Sequence, residues 1–178
     1  MSKAIENVIP CLFVRSREPS EIIMIYFHAN AEDIGKNKEF MTMISKSLKI
    51  HVLAVEYPGY GLYKGEPSEN AILSDAERVL DFVTNVLMWP LKNIIICGRS
   101  IGTGPSCHIA SKYKQVGALV LISPFTSIKS VVEGKLGGVA KLMVKERFEN
   151  IRRVEEIECP LFLLHGKKDT LIPYDHSK

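Results

Sequence analysis

The chain has 178 residues, 46% of them hydrophobic, which is enough for one domain with a substantial core. Its net charge of +3 arises from interspersed acidic and basic residues, without a basic patch interleaved with aromatics, and this argues against nucleic acid as a partner. Cys11, Cys97, Cys107 and Cys159 lie far apart, mostly in apolar runs and without C-x-x-C spacing. They read as buried thiols of a reducing, cytoplasmic compartment, with no metal site and no cofactor expected. The first ten residues lack the apolar core of a signal peptide, and no apolar run approaches the roughly 20 residues of a transmembrane segment. Membrane contact, if made, is expected to be peripheral.

In chain order, residues 10–15 (P-C-L-F-V-R) read as a short strand and 15–21 as a polar turn containing Pro19. Residues 21–27 (E-I-I-M-I-Y-F) form a second, apolar strand ending in a loop of small and polar residues, 28–33. Residues 38–48 place Phe40, Met41, Ile44 and Leu48 on one helical face. A strand over 50–55 leads into E-Y-P-G-Y-G, a turn by composition. Ser68 or Glu69 opens a long helix expected to run through Met88. Strands follow at 94–97, 118–122 and 161–164, the last running into H-G-K-K-D at 165–169. Strands alternating with helices of this length indicate βαβ units and a mostly parallel sheet, with no internal repeat or linker.

The stretch 93–105, N-I-I-I-C-G-R-S-I-G-T-G-P, organises the rest. Its apolar run suits a central parallel strand buried on both faces. Residues 98–102 follow at once and match G-x-S-x-G, with a helical pattern behind. This is the sequence of a nucleophile elbow, a sharp turn that raises a serine hydroxyl at the carboxyl edge of the sheet. Gly98 and Gly102 are needed because a Cβ at either would strike the neighbouring strand or helix. A phosphate-binding glycine loop is the competing reading. It fails because Gly102 and Gly104 would require a third glycine where Cys107 stands, and no G-K-[ST] follows. Ligands of such sheets sit beyond the carboxyl ends of the strands. His28, Ala31, Tyr57, Ser100, Phe125 and Asp169 all follow strand ends, so the candidate chemistry converges on one edge.

These motifs resemble the α/β-hydrolase superfamily, and within it the cytosolic α/β-hydrolase-domain serine hydrolases that include protein depalmitoylases. The resemblance runs over residues 8–176 and rests on C-L-F-V-R at 11–15, H-A-N-A at 28–31 where the family has H-G-N-A, and Y-P-G-Y-G at 57–61. It continues through G-E-P-S-E at 65–69, the elbow with Thr103, Ser123-Pro124, and His165-Gly166 with Asp169. It implies a doubly wound α/β-hydrolase sheet over a single domain, 1–178, lacking the last strand and helix. It also implies Ser100 as nucleophile, Asp169 as the acid that orients a histidine, and an oxyanion hole made by the backbone N–H groups of Ile101 and Asn30. His28, Ala31, Tyr57 and Phe125 are the substrate-side candidates. Ala29 places a methyl beside the hole where the family has none.

The family order is Ser, Asp, His, so a catalytic histidine should follow Asp169 after one further strand. None stands in that context. His108 lies eight residues along the helix from Ser100, about 12 Å away. His51 opens a strand at the opposite edge, His28 and His165 resemble loop-bracing histidines, and His176 follows Asp169 by seven residues, at the start of a helical turn. Three arrangements fit: a chain that stops short of the rest of an ordinary triad enzyme, which the family order favours; a short form without turnover; or His176 brought in by an unusual carboxyl-terminal path. The missing strand would leave 161–164 as an uncovered edge, a route to dimerisation or aggregation.

The region from about 125 to 158, where the superfamily inserts its cap, mixes apolar residues with Lys129, Lys135, Lys141 and Lys145, and is interrupted by Gly134, Gly137 and Gly138. It reads either as a small cap for an acyl chain or an anionic membrane surface, or as two amphipathic helices lying on the sheet. The expected function is a serine hydrolase cleaving a carboxylic ester or acyl thioester of a small molecule or a lipidated protein. The alternative is a hydrolase fold kept as a binding or scaffold protein without turnover.

Overall fold

In the structure, a computed structural model, residues 8–136 and 146–178 are described. Six strands form one sheet in the order β1-β3-β2-β4-β5-β6, comprising β1 (Cys11–Val14), β2 (Ile23–Phe27), β3 (His51–Val55), β4 (Ile94–Arg99), β5 (Ala118–Ile122) and β6 (Leu161–Leu164). All neighbours are parallel except β1, which runs antiparallel to β3. The apolar runs explain which strands are central. Every residue of β2 is buried between β3 and β4, whereas β1 alternates exposed and half-buried, as suits an edge.

The period of two sorts the sheet residues onto two faces. On one, Ile23, Ile25, Ile94, Ile96 and Leu119 lie against helices α2 (Glu69–Asp81) and α3 (Thr103–Lys112). On the other, Met24, Tyr26, Val52 and Cys97 lie against α1 (Lys38–Leu48), through Met41. Two further helices, α4 (Ile128–Leu136) and α5 (Asn150–Val154), follow β5. The fold is therefore the expected mostly parallel, doubly wound sheet. Of the cap expected over about 125–158, residues 137–145 lie outside the described residues, and α4 and α5 lie on either side of them.

The helix expected to run from Ser68 through Met88 is broken in two. Ser68 is its N-cap, its hydroxyl accepting the Ala71 N–H at 3.2 Å, but the α-helix ends at Asp81 and one π-turn, Phe82–Val86, completes it. Pro90 disfavours helical backbone at Trp89, and the wider turn lets the indole N–H donate to the Glu21 carbonyl at 2.9 Å. The continuing apolar period over Phe82, Val83 and Val86 concealed this break.

Cys97, Cys107 and Cys159 are buried as expected, and burial pushes the Cys97 and Cys107 thiols up to about 12. Cys11 is a correction: it is exposed on the edge strand β1, although partial desolvation of its thiol and the charges of Asp75 and Glu56 raise it to about 11. Among the described residues β6 pairs only with β5. Phe162 and Leu164, on the α1 side of the sheet, are 60% and 53% exposed. Leu161 and Leu163, on the other side, border a cavity of about 180 Å³ shared with Cys107, Val154 and His176.

Candidate active site

The carboxyl end of β4 turns through Ser100 into a 3-10 turn, Ser100–Gly102, and then into α3. Ser100 has φ +52°, left-handed backbone that costs an L-residue about 1–2 kcal/mol. Packing on both sides holds it there. A Cβ on Gly98 would collide with the Gly102 carbonyl and Ser106 Oγ, and one on Gly102 would collide with the carbonyls of Phe27 and His28. The Thr103 hydroxyl donates to the Ser100 carbonyl at 2.7 Å, and the Ser106 hydroxyl to the Gly102 carbonyl at 2.8 Å. The elbow is thus seated on the end of β2, where the 28–34 loop begins. Ile101 falls in the first turn of the helical segment, where N–H groups have no preceding helical carbonyl to pair with. Because the strain belongs to the backbone, Ser100→Gly should be about 1 kcal/mol more stable than Ser100→Ala. Urea unfolding of the two variants checks this, and equal stability would mean the turn is not strained.

The loop after β2 is braced at nearly every residue. His28 is fully buried; its Nδ1 lies 2.9 Å from the Ala29 carbonyl, and its Nε2 lies 2.8 Å from Glu56 Oε1. A carbonyl only accepts, so Nδ1 carries a proton. Glu56, 1% exposed at the end of β3, also accepts the N–H groups of Ile34 at 3.2 Å and Tyr57 at 3.3 Å. Tyr57 donates its hydroxyl to the His28 carbonyl at 2.8 Å, and Tyr60 donates to Asn30 Oδ1 at 2.5 Å. Gly61, at φ +50°, leaves room for the Glu56 carboxylate, which a Cβ there would strike. The backbone N–H of Asn30 has no partner among the described residues, which suits an oxyanion donor. Ala29 is not among the residues with positive φ, so its methyl is accommodated in ordinary backbone.

Asp169, five residues beyond β6, is held by its own turn: Oδ1 accepts the N–H groups of Leu171 at 2.8 Å and Ile172 at 2.9 Å. Burial pushes its carboxyl upward, but these N–H donors, the Ser123 hydroxyl and the nearby His165 outweigh that and hold it below the usual carboxylate range. Ser123, after β5, is itself left-handed at φ +47°. Nucleophile and acid therefore follow strands two apart at the same edge of the sheet, with Ser123 between them.

Each histidine is engaged away from Ser100. His51 accepts the Ser16 N–H at 3.3 Å, and His108 pairs with Glu77 at 2.7 Å. His165 contacts Ser177 Oγ at 2.6 Å and the Ile172 carbonyl at 2.8 Å; its Nε2 stays 3.7 Å from Asp169 Oδ2, beyond hydrogen-bond range. His176, in the 3-10 turn Tyr174–Ser177, accepts at Nδ1 from the Thr126 N–H at 3.3 Å and lies 2.9 Å from its hydroxyl. Burial and the neighbouring His165 hold it below the ordinary imidazole range, against the opposing charge of Asp175. Among the described residues, no imidazole joins Asp169 to Ser100.

Of the expected substrate-side residues, only Ala31 is exposed, beside the exposed Asn30 and the half-buried Ser100. His28 and Tyr57 are corrections, with exposures of 0% and 2%, whereas Phe125, 2% exposed, lines the cavity of about 180 Å³ beside β6. The first two brace the 28–34 loop from behind, and the Phe125 carbonyl accepts from the buried Asn150 side chain at 3.1 Å. Sequence reasoning missed Glu56 and Tyr60, although both stand in the turn it singled out. The signal was available: a carboxylate directly behind an apolar strand is placed where burial demands a partner.

Residues 18–152 match the family described as serine aminopeptidase, S33. The chain belongs to this hydrolase family. A human relative, alpha/beta hydrolase domain-containing protein 17B, is 32% identical over 172 residues, covering 96% of this chain and 58% of its own length. The Caenorhabditis elegans alpha/beta hydrolase domain-containing protein aho-3 is 31% identical over 171 residues, covering 96% and 50%. This hydrolase chain thus spans between half and three fifths of the curated relatives it matches. The Pyrococcus furiosus esterase Pf2001 superposes with a TM-score of 0.70 at 20% identity, over 96% of this chain and 75% of the esterase, a likeness of fold.

Proposed function

We propose that this chain carries the nucleophile and oxyanion hole of a serine hydrolase that cleaves a carboxylic ester or acyl thioester. The observation that supports this most directly is Ser100 at φ +52°, locked between two glycines that cannot carry a Cβ and seated on the end of β2. In the reaction, Ser100 Oγ attacks the acyl carbonyl carbon while a base takes its proton. The Ile101 and Asn30 N–H groups hold the oxyanion. The alcohol or thiol leaves with the proton, and water then releases the acid from the acyl-serine. Asp169 is the group that would orient the base. Acyl groups on small molecules or lipidated proteins are the substrate class that the motif resemblance to the group containing protein depalmitoylases suggests, with any membrane contact peripheral.

The unfilled role of the base supplies the test. Exogenous imidazole should accelerate labelling of Ser100 by a fluorophosphonate and hydrolysis of p-nitrophenyl acetate, in proportion to its concentration and above the buffer background. Ser100→Ala should show neither effect. Identical behaviour of the two proteins removes the serine assignment. The second reading, a hydrolase fold that binds without turnover, is favoured by the engagement of all five histidines elsewhere, and Ser100 that stays unlabelled under imidazole would support it.

A further inference from the structure

The two proposed oxyanion donors sit on separate loops: Asn30 after β2 and Ile101 after β4. A single carboxylate joins them. Glu32 Oε1 accepts from Arg99 Nη1 at 3.0 Å, and its Oε2 accepts the Ala29 N–H at 3.3 Å and the Asn37 side-chain amide at 3.1 Å. Arg99 is the residue immediately before Ser100, and Ala29 is the residue immediately before Asn30. Asn37 fixes the far end of the same loop, its N–H and side-chain amide both donating to the Asp33 carbonyl, at 3.2 and 3.0 Å. Between these anchors Ala31 takes φ +61°, a second left-handed turn that the loop must be held in.

We propose that Glu32 and Arg99 are positioning residues that set the distance between the Asn30 and Ile101 N–H groups, an inference that rests on the hydrolase reading. An oxyanion hole stabilises developing charge only if both donors are fixed before the reaction, because reorganising them during it consumes the benefit. The elbow fixes Ile101, and the Glu56–His28 pair, with the Tyr57 and Tyr60 hydroxyls, fixes the root of the other loop and the Asn30 side chain. The Arg99–Glu32 link spans the remaining gap above the site. It lies at the surface, with the two side chains 46% and 25% exposed, so its contribution to folding is small and its effect should be geometric.

A structural role and a positioning role predict different data. In imidazole-assisted hydrolysis of p-nitrophenyl acetate, Arg99→Gln and Glu32→Gln should each lower kcat about tenfold, with KM within about twofold of wild type. Affinity for phenylboronic acid, whose adduct with Ser100 places an oxygen anion in the hole, should weaken by the same factor. The double variant should be no worse than Glu32→Gln alone, since Arg99 acts through Glu32. Arg99→Lys should recover part of the loss, and melting temperatures should move little. If kcat and boronate affinity stay within twofold in both variants, or the double variant shows the product of the single losses, the link does not position the donors. If wild type binds phenylboronic acid no better than Ser100→Ala, the hydrolase reading fails and the link goes with it. If wild type binds and the variants match it, only the link is lost.

Discussion

Gly102→Ala should be among the most damaging single-methyl changes in the chain, lowering stability by about 3 kcal/mol or more and abolishing labelling at Ser100. The added Cβ would meet backbone, the carbonyls of Phe27 and His28, rather than the movable end of a side chain. Relief therefore requires β2 and β4 to separate at the centre of the sheet, where Phe27 and Gly98 are direct neighbours in register. Gly166→Ala is the control. A Cβ there meets nothing within 4 Å, and its stability should stay within about 0.5 kcal/mol of wild type. Urea midpoints of the two variants, with fluorophosphonate labelling of each, decide the matter. A wild-type midpoint for Gly102→Ala would show that the elbow does not rest on β2.

Glu56→Ala should cost about 3–5 kcal/mol, the loss typical of removing one member of a buried charged or proton-sharing pair. It strands His28 Nε2 at a site with no water access and removes the acceptor for the Ile34 and Tyr57 N–H groups. Glu56→Gln keeps the volume and an acceptor oxygen, so its loss should be smaller. Calorimetric or urea unfolding measures both. Because this pair roots the loop that carries Asn30, the surviving folded fraction of Glu56→Ala should also hydrolyse ester more slowly per molecule. A Glu56→Ala variant within 1 kcal/mol of wild type would mean that the carboxylate is not structural.

Much of this architecture can be read from the sequence because each central strand carries its own evidence. β5 and β6 have the expected bounds, and β2 and β4 differ by a residue or two at their ends, since unbroken apolar runs between turns leave few alternatives. The elbow is equally local: serine and both glycines lie within five residues. What escaped is what acts at a distance. His28 and Glu56 are 28 positions apart and Glu32 and Arg99 are 67 apart, so no window of sequence shows them as partners. The substrate-side expectation for His28 and Tyr57 failed for the complementary reason. Following a strand end places a residue at the correct edge, but it does not say whether the side chain points into solvent or back beneath the loop.

The raised thiols have a practical bearing on how this serine can be studied. With Cys97 and Cys107 titrating near 12 and Cys11 near 11, at neutral pH only about one sulfur in 10⁴–10⁵ at each of these positions is in the reactive thiolate form. Electrophilic acylating reagents should therefore discriminate strongly against sulfur at these three positions, and Cys159, the remaining thiol, is the cysteine to replace before a label is assigned to Ser100.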